Sequence, residues 1–184
     1  MSTTAISKKR ISVTTQFIYA AATIIAAVVL PQICHLAGAA LRMGTSIGEV
    51  LLPMHLPITL CGILAGPYAA GIAGALAPLA SFLMTGMPAK VMLPFMMIEL
   101  AAYGVSAGIL GKTKPPTLAS VFSAQVIGRA VRALAILFVF YVIGSKAVAP
   151  AVILKSIPTG IAGIVLQLVS IPLITWAVRR KEND

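Results

Sequence analysis

The sequence predicts an all-α integral membrane protein that has six transmembrane helices and both termini in the cytoplasm. Of the 184 residues, 59% are hydrophobic and only 10% are charged, whereas soluble domains carry about 25% charged residues. The apolar segments approach the roughly 20 residues that cross a bilayer. Basic residues lie beside these segments, as topology determinants do. The net charge of +10 therefore does not predict nucleic acid as a partner.

Six apolar segments fill the chain, so we predict one transmembrane domain over residues 1–184. Residues 1–12 form a basic cytoplasmic leader, and the apolar run behind them is too long for a cleaved signal peptide. Residues 144–158 form a loop with room for a short helix, and residues 179–184 form a cytoplasmic tail. The predicted segments cover about residues 13–40, 50–65, 68–85, 91–110, 118–143 and 159–178.

The distribution of Lys and Arg predicts the orientation, because cytoplasmic loops carry the excess of basic residues. With six spans, the side that holds both termini has eight of them: Lys8, Lys9, Arg10, Lys112, Lys114, Arg179, Arg180 and Lys181. The opposite side has four: Arg42, Lys90, Lys146 and Lys155. Both termini, and the turn between the second and third segments, are therefore predicted to be cytoplasmic.

The second and third segments form a hairpin that turns at Gly66-Pro67 and is rich in Gly, Pro and Ala. Small residues let helix backbones approach closely in lipid. Because the chain reverses, the cluster around Met54 and His55 and the cluster around Met87 return to the same outer face. We interpret that face as the place where a small molecule is held, with residues 85–90 as a lid.

Small residues also recur at helical spacing in the first segment, as Ala22-x-x-x-Ala26 and Thr23-x-x-x-Ala27. They give the helix a smooth face that suits another helix. Packing within the protein and docking of a partner explain this face equally well.

Charged and amide side chains inside the bilayer are the main candidate site residues. By a rise of 1.5 Å per residue, Glu99 lies ~13 Å, Arg132 ~16 Å and Arg129 ~21 Å below the outer surface. Gln167 lies at ~13 Å, and Gln125 shares a helix face with the two arginines. A charged residue inside the membrane usually marks a functional site. The alternative is that Glu99 forms an ion pair with one arginine that only holds two helices together.

Two arginines against one glutamate leave one cation without a partner, which favours a ligand with a carboxylate, a phosphate or an electron-rich ring. His55, Met54 and Met87 are further candidates for the binding site, and Met92, Met96 and Met97 could line an adaptable pocket. His35 is a weaker candidate, since it has no partner in the sequence. Nothing in the sequence predicts an enzyme, a cofactor or a metal site, because no paired carboxylates and no His/Cys cluster stand in the membrane.

The chain resembles the substrate-binding S component of energy-coupling factor (ECF) transporters. The resemblance extends over nearly the whole length. The most specific pieces are PMHLP at 53–57, GILAGP at 62–67, PLASFLMTGMP at 78–88, ELAAYG at 99–104 and GRAV at 128–131. The chain departs from the family at Ala80-Ser81, where a larger residue is usual, and at Arg132, where an apolar or aromatic residue is expected.

This resemblance implies a prokaryotic protein of the cell membrane that captures a water-soluble vitamin or precursor, such as hydroxymethylpyrimidine, cobalamin, a pyridoxine form or pantothenate. It further implies delivery to the transmembrane coupling protein EcfT, which carries two cytoplasmic ATPases. In this family an Ala-x-x-x-Ala face on the first helix docks on EcfT, and Ala22 and Ala26 match that pattern. The alternatives are a stand-alone secondary transporter that uses the Glu99–Arg pair, and a structural membrane subunit that binds nothing.

Overall fold

The computed structural model of the protein describes residues 12–40, 42, 50–113 and 117–183. All elements within these ranges are helical, which confirms the predicted all-α fold. The helices are α1 (Val13–Ala40), α2 (His55–Ala65), α3 (Pro67–Thr85), α4 (Leu93–Leu110), α5 (Thr117–Tyr141), α6 (Ala151–Thr159) and α7 (Ile161–Asn183).

Five of the described helices are long and apolar enough to cross a membrane, namely α1, α3, α4, α5 and the part Ile161–Val178 of α7. The 11 residues of α2 rise only ~16 Å, about half of the hydrocarbon core. The second segment was predicted to begin near residue 50, but Leu52 has a positive φ of 49° and α2 begins only at His55. This break makes α2 shorter than predicted.

Most other predicted boundaries agree with the structure to within a few residues. The short helix α6 lies where the predicted 144–158 loop had room for one, and α7 continues past its predicted end near residue 178. Ser12 caps α1, because its Oγ accepts a hydrogen bond from the Thr15 N–H at 3.2 Å. The leader before Ser12, the loop lysine Lys114, and positions 43–49 of the first loop lie outside the described residues.

The hairpin turn between α2 and α3 depends on Gly66. Its φ of 101° and ψ of 179° are strained for any residue with a Cβ. The Gly66 N–H donates to the carbonyls of Cys61 and Gly62 at 3.3 and 3.0 Å, and Pro67 then starts α3 at a position where its missing N–H does no harm. The chain therefore reverses within one residue.

Helices α2, α3 and α4 pack with almost no side chain between them. A Cβ on Gly74 would collide with the backbone of Leu100, and one on Gly104 would collide with the carbonyl of Ala70. On α2, a Cβ at Gly62 would come within 2.7 Å of the Gly104 carbonyl oxygen. These glycines place the three backbones in direct contact, as the small-residue pattern predicted.

Helix α1 covers α2 and α3 with its buried face, which includes Thr23 and Ala27. Ala27 belongs to an apolar cluster with Ile58 of α2 and Ala77 of α3. Ala22 is exposed and Ala26 is half-buried. The two small-residue pairs of α1 therefore have different surroundings, and only the pair Thr23/Ala27 packs inside the protein.

Candidate functional site

A cavity of about 560 Å³ opens between one end of the α2–α4 core and helices α1, α5 and α6. Its size is typical of sites for small molecules. The hairpin brings both of its end clusters to the wall, Met54 and His55 from the start of α2 and Met87 from the α3–α4 loop. Glu99 of α4 and both arginines of α5 also line it.

Glu99 is the most deeply buried charged group of the cavity, with 1% of its surface exposed. Arg132 donates from Nη1 to Glu99 Oε2 at 3.1 Å. On the other side, His55 Nε2 lies 3.7 Å from Glu99 Oε1, and the His55 ring meets Tyr103 edge to face with centroids 4.9 Å apart. The α2, α4 and α5 side chains thus form one polar cluster around a single carboxylate.

Arg129 lies one turn from Arg132 on the same face of α5 and has different partners. Its Nη1 donates to the backbone carbonyl of Ser156 at 3.2 Å, in the last turn of α6. The other end of its guanidinium lies over Gly160, since a Cβ there would collide with Nη2. Arg129 therefore connects α5 to the junction of α6 and α7.

The apolar part of the wall is built from methionines. Met54, Met87, Met92 and Met96 line the cavity, whereas Met97 does not. The α3–α4 loop that carries Met87 begins at Gly86, whose φ of 72° ends α3 in the left-handed region. Flexible thioethers adapt to irregular ligand shapes, so this part of the wall suits an apolar ligand body.

Two of the predicted site residues lie away from the cavity. Gln125 and Gln167 are buried between α5 and α7, and the Gln125 Nε2 amide donates to Gln167 Oε1 at 3.4 Å. Neither belongs to the cavity wall. The depth predicted for Gln167 and the helix face predicted for Gln125 could not show that these two residues face each other.

Several wall residues had a weak signal or none in the sequence. His35, judged a weak candidate, lines the cavity together with Gln32 on α1, and Lys155 and Ser156 line it from α6. Polar residues at positions 32 and 35 of a mostly apolar helix share one face, which is a signal that could have identified them. Ser81, at one of the departures from the family, also lines the cavity.

The family model described as "ECF transporter, substrate-specific component" matches residues 18–175 of the chain. The matched range includes every residue of the cavity wall. Neither the curated proteins nor the solved structures provide a match.

Proposed function

The chain belongs to the family of ECF transporter substrate-specific components, and from this we propose that the cavity between α1, α5 and α6 is its substrate site. A protein of this family is a transporter subunit in the membrane rather than an enzyme. The proposed ligand is a water-soluble vitamin or vitamin precursor, which the protein takes up from outside and passes to the transport complex.

The observation that carries this proposal is the buried cluster of Glu99, Arg132 and His55 at the wall of a ligand-sized cavity. A charged side chain at a helix centre costs about 2.5–3.5 kcal/mol on insertion scales. An ion pair that only holds two helices together needs no cavity beside it. Charged groups together with a methionine wall supply both the polar and the apolar contacts of a binding site.

Mass spectrometry of small molecules released from the detergent-purified protein tests the proposed function. We expect one vitamin or precursor in the parent protein and at least a tenfold weaker retention in the double variant Glu99→Gln/Arg129→Met. The matched control is Gln125→Leu/Gln167→Leu, which removes the buried amide pair outside the cavity. Equal retention by the parent and the Glu99/Arg129 variant would refute the site.

We propose that residues 50–51 together with α2 complete a sixth pass, so that both termini lie in the cytoplasm. The excess of basic residues on that side of the predicted topology supports this orientation. Proteolytic removal of epitope tags from the N- and C-terminus, in right-side-out and inverted vesicles, gives the test. Both tags should be cleaved only in inverted vesicles, and tags that respond oppositely would show an odd number of passes.

We further propose that Ala22 and Ala26 dock on EcfT, which carries the two ATPases. The outward position of Ala22 and the half-buried position of Ala26 support this proposal, as does the family's docking pattern. Ala22→Trp/Ala26→Trp should abolish uptake but keep ligand binding. Ala21 is exposed as well and lies about 100° around the helix, so Ala21→Trp is the matched control. Uptake at the parent rate in the double variant would refute docking here.

A further inference from the structure

Cationic side chains outnumber carboxylates in the cavity wall. Arg129, Arg132 and Lys155 line it, whereas Glu99 is the only acidic residue in the lining among the residues that the structure describes. The described side chains therefore do not balance the charge of the wall, and they present a net positive surface to a ligand in this cavity.

The single carboxylate is already engaged. Glu99 accepts a hydrogen bond from Arg132 on one oxygen and faces His55 on the other. Charge-assisted pairs of this kind are strong when they are sheltered from water. The charge of Arg132 is therefore compensated, and no ion pair joins Glu99 to Arg129 among the described side chains.

Arg129, like Lys155, has no carboxylate partner among the described side chains. Its Nη1 donates to a neutral backbone carbonyl, and its Nε is buried without a hydrogen-bond partner. A guanidinium offers five N–H donors and no acceptor. Its single hydrogen bond to a neutral acceptor leaves donor capacity for a ligand in the cavity, whose wall also includes Lys155 of α6.

Other donors in the wall are also unsatisfied. Gln32 Nε2 and Arg132 Nε are buried without a partner in the described structure, and both residues line the cavity. An electron-rich ring can attract a cation, but it offers a poor acceptor to in-plane N–H groups. A carboxylate or phosphate satisfies both the charge and the donors.

We propose that the ligand carries an anionic group, a carboxylate or a phosphate, which Arg129 and Lys155 bind, while its apolar body lies against the methionine wall. This inference rests on the proposed substrate site and adds the chemical class of the substrate. Arg129 is the principal anchor, because it is partly buried and held by Ser156. Lys155 is exposed and contributes less, since water screens its charge.

The first test does not require a known ligand. Purified protein is incubated with an equimolar mixture of anionic, neutral and cationic water-soluble vitamins and precursors, washed, and analysed by mass spectrometry. Retention of an anionic compound supports the inference. Retention of a neutral or cationic compound overturns the inference but leaves the proposed binding function intact. Retention of nothing counts against the proposed function, and the inference falls with it.

The second test compares the retained anion with its neutral derivative, which is the amide of a carboxylate or the alcohol of a phosphate ester. Arg129→Met should weaken binding of the anion about 10- to 100-fold and leave binding of the neutral derivative within about twofold. Arg129→Lys should restore part of the affinity. Equal weakening of both compounds would show that Arg129 only holds α6 in place, and would overturn its role as anchor.

Lysine variants complete the test with a matched pair. Lys155→Met should weaken binding of the anion about threefold, in line with an exposed charge, and the loss should shrink at high salt. Lys146 is an exposed loop lysine outside the wall, so Lys146→Met should leave affinity unchanged. Equal effects of the two substitutions would remove Lys155 from the site.

Discussion

Glycines in two regions of the molecule have different neighbours. In the α2–α4 core, a Cβ on Gly74 or Gly104 would strike the backbone of the facing helix. Around the cavity, a Cβ on Gly128 would strike the ring of Tyr103, and one on Gly160 would strike the guanidinium of Arg129. The first region is held by backbone contact, while glycines of the second make room for side chains that reach into or beside the site.

This difference follows from what holds helices together in lipid. Without a hydrophobic force between helices, close backbone approach provides the packing energy. Backbone atoms in such contact cannot make room for an added group unless the helices move apart. A side chain can change rotamer at modest cost. We therefore expect substitutions in the α2–α4 core to change stability, and equivalent substitutions around the cavity to change mainly ligand binding.

Gly104→Ala should have the largest effect on stability. The new methyl group would collide with the carbonyl of Ala70 on α3, and separating the two helices should destabilise the protein by about 3 kcal/mol. Thermal unfolding in detergent measures this loss. Gly71→Ala on α3 is the control, since its methyl group meets only a side-chain carbon of Val105 at 2.8 Å. Similar losses for both would contradict the distinction between backbone and side-chain contact.

Arg132→Met should destabilise the protein by about 2–3 kcal/mol, because it leaves the buried Glu99 carboxylate without its closest partner. This loss of stability is smaller than that expected for a fully buried ion pair, since 17% of the Arg132 side chain is exposed. Adding Glu99→Gln should recover most of the stability in a double-mutant cycle. If Glu99→Gln and Arg132→Met have additive effects, the two side chains do not form a pair.

The helices and the hairpin could be predicted because their signals are local. Apolar run length and the Gly66-Pro67 turn depend on neighbours in sequence. The start of α2 was predicted too early, because the chain breaks at Leu52, whose φ is positive. Pro53 is a local signal for this break, since the residue before a proline is disfavoured in the helical region.

Helix rotation explains why some candidate residues lie in the cavity and others do not. Rise per residue fixes the depth of a side chain, so Glu99, Arg132 and Arg129 could be placed at one level. The direction in which Gln125 points depends on how α5 packs against α7, which needs the tertiary structure. Lys155 lies on α6, within the predicted 144–158 loop that had room for a short helix, but its place in the cavity wall depends on how that helix packs.

Gly128→Ala should have an intermediate effect on stability, about 1–2 kcal/mol. The added methyl group would collide with the Tyr103 ring, which must shift and carry with it the edge-to-face contact to His55. Ligand binding should therefore weaken together with stability. In the background of Tyr103→Leu, which removes the ring, Gly128→Ala should cause no further loss of stability. A further loss in that background would mean that the helices α4 and α5 themselves are forced apart.

Gly160→Ala should have the smallest effect on stability, below about 1 kcal/mol, since its methyl group meets the far end of the Arg129 side chain. It should nonetheless weaken ligand binding, because the guanidinium loses its place beside Ser156. The Kd of the ligand, measured with and without Gly160→Ala in the parent and in Arg129→Met, shows whether this substitution acts through Arg129. If Gly160→Ala acts through Arg129, it should weaken binding in the parent but have no further effect in Arg129→Met. An equal loss in both backgrounds would instead place the effect in the contact of Gly160 with Leu52, whose Cδ1 lies 3.1 Å from the added carbon.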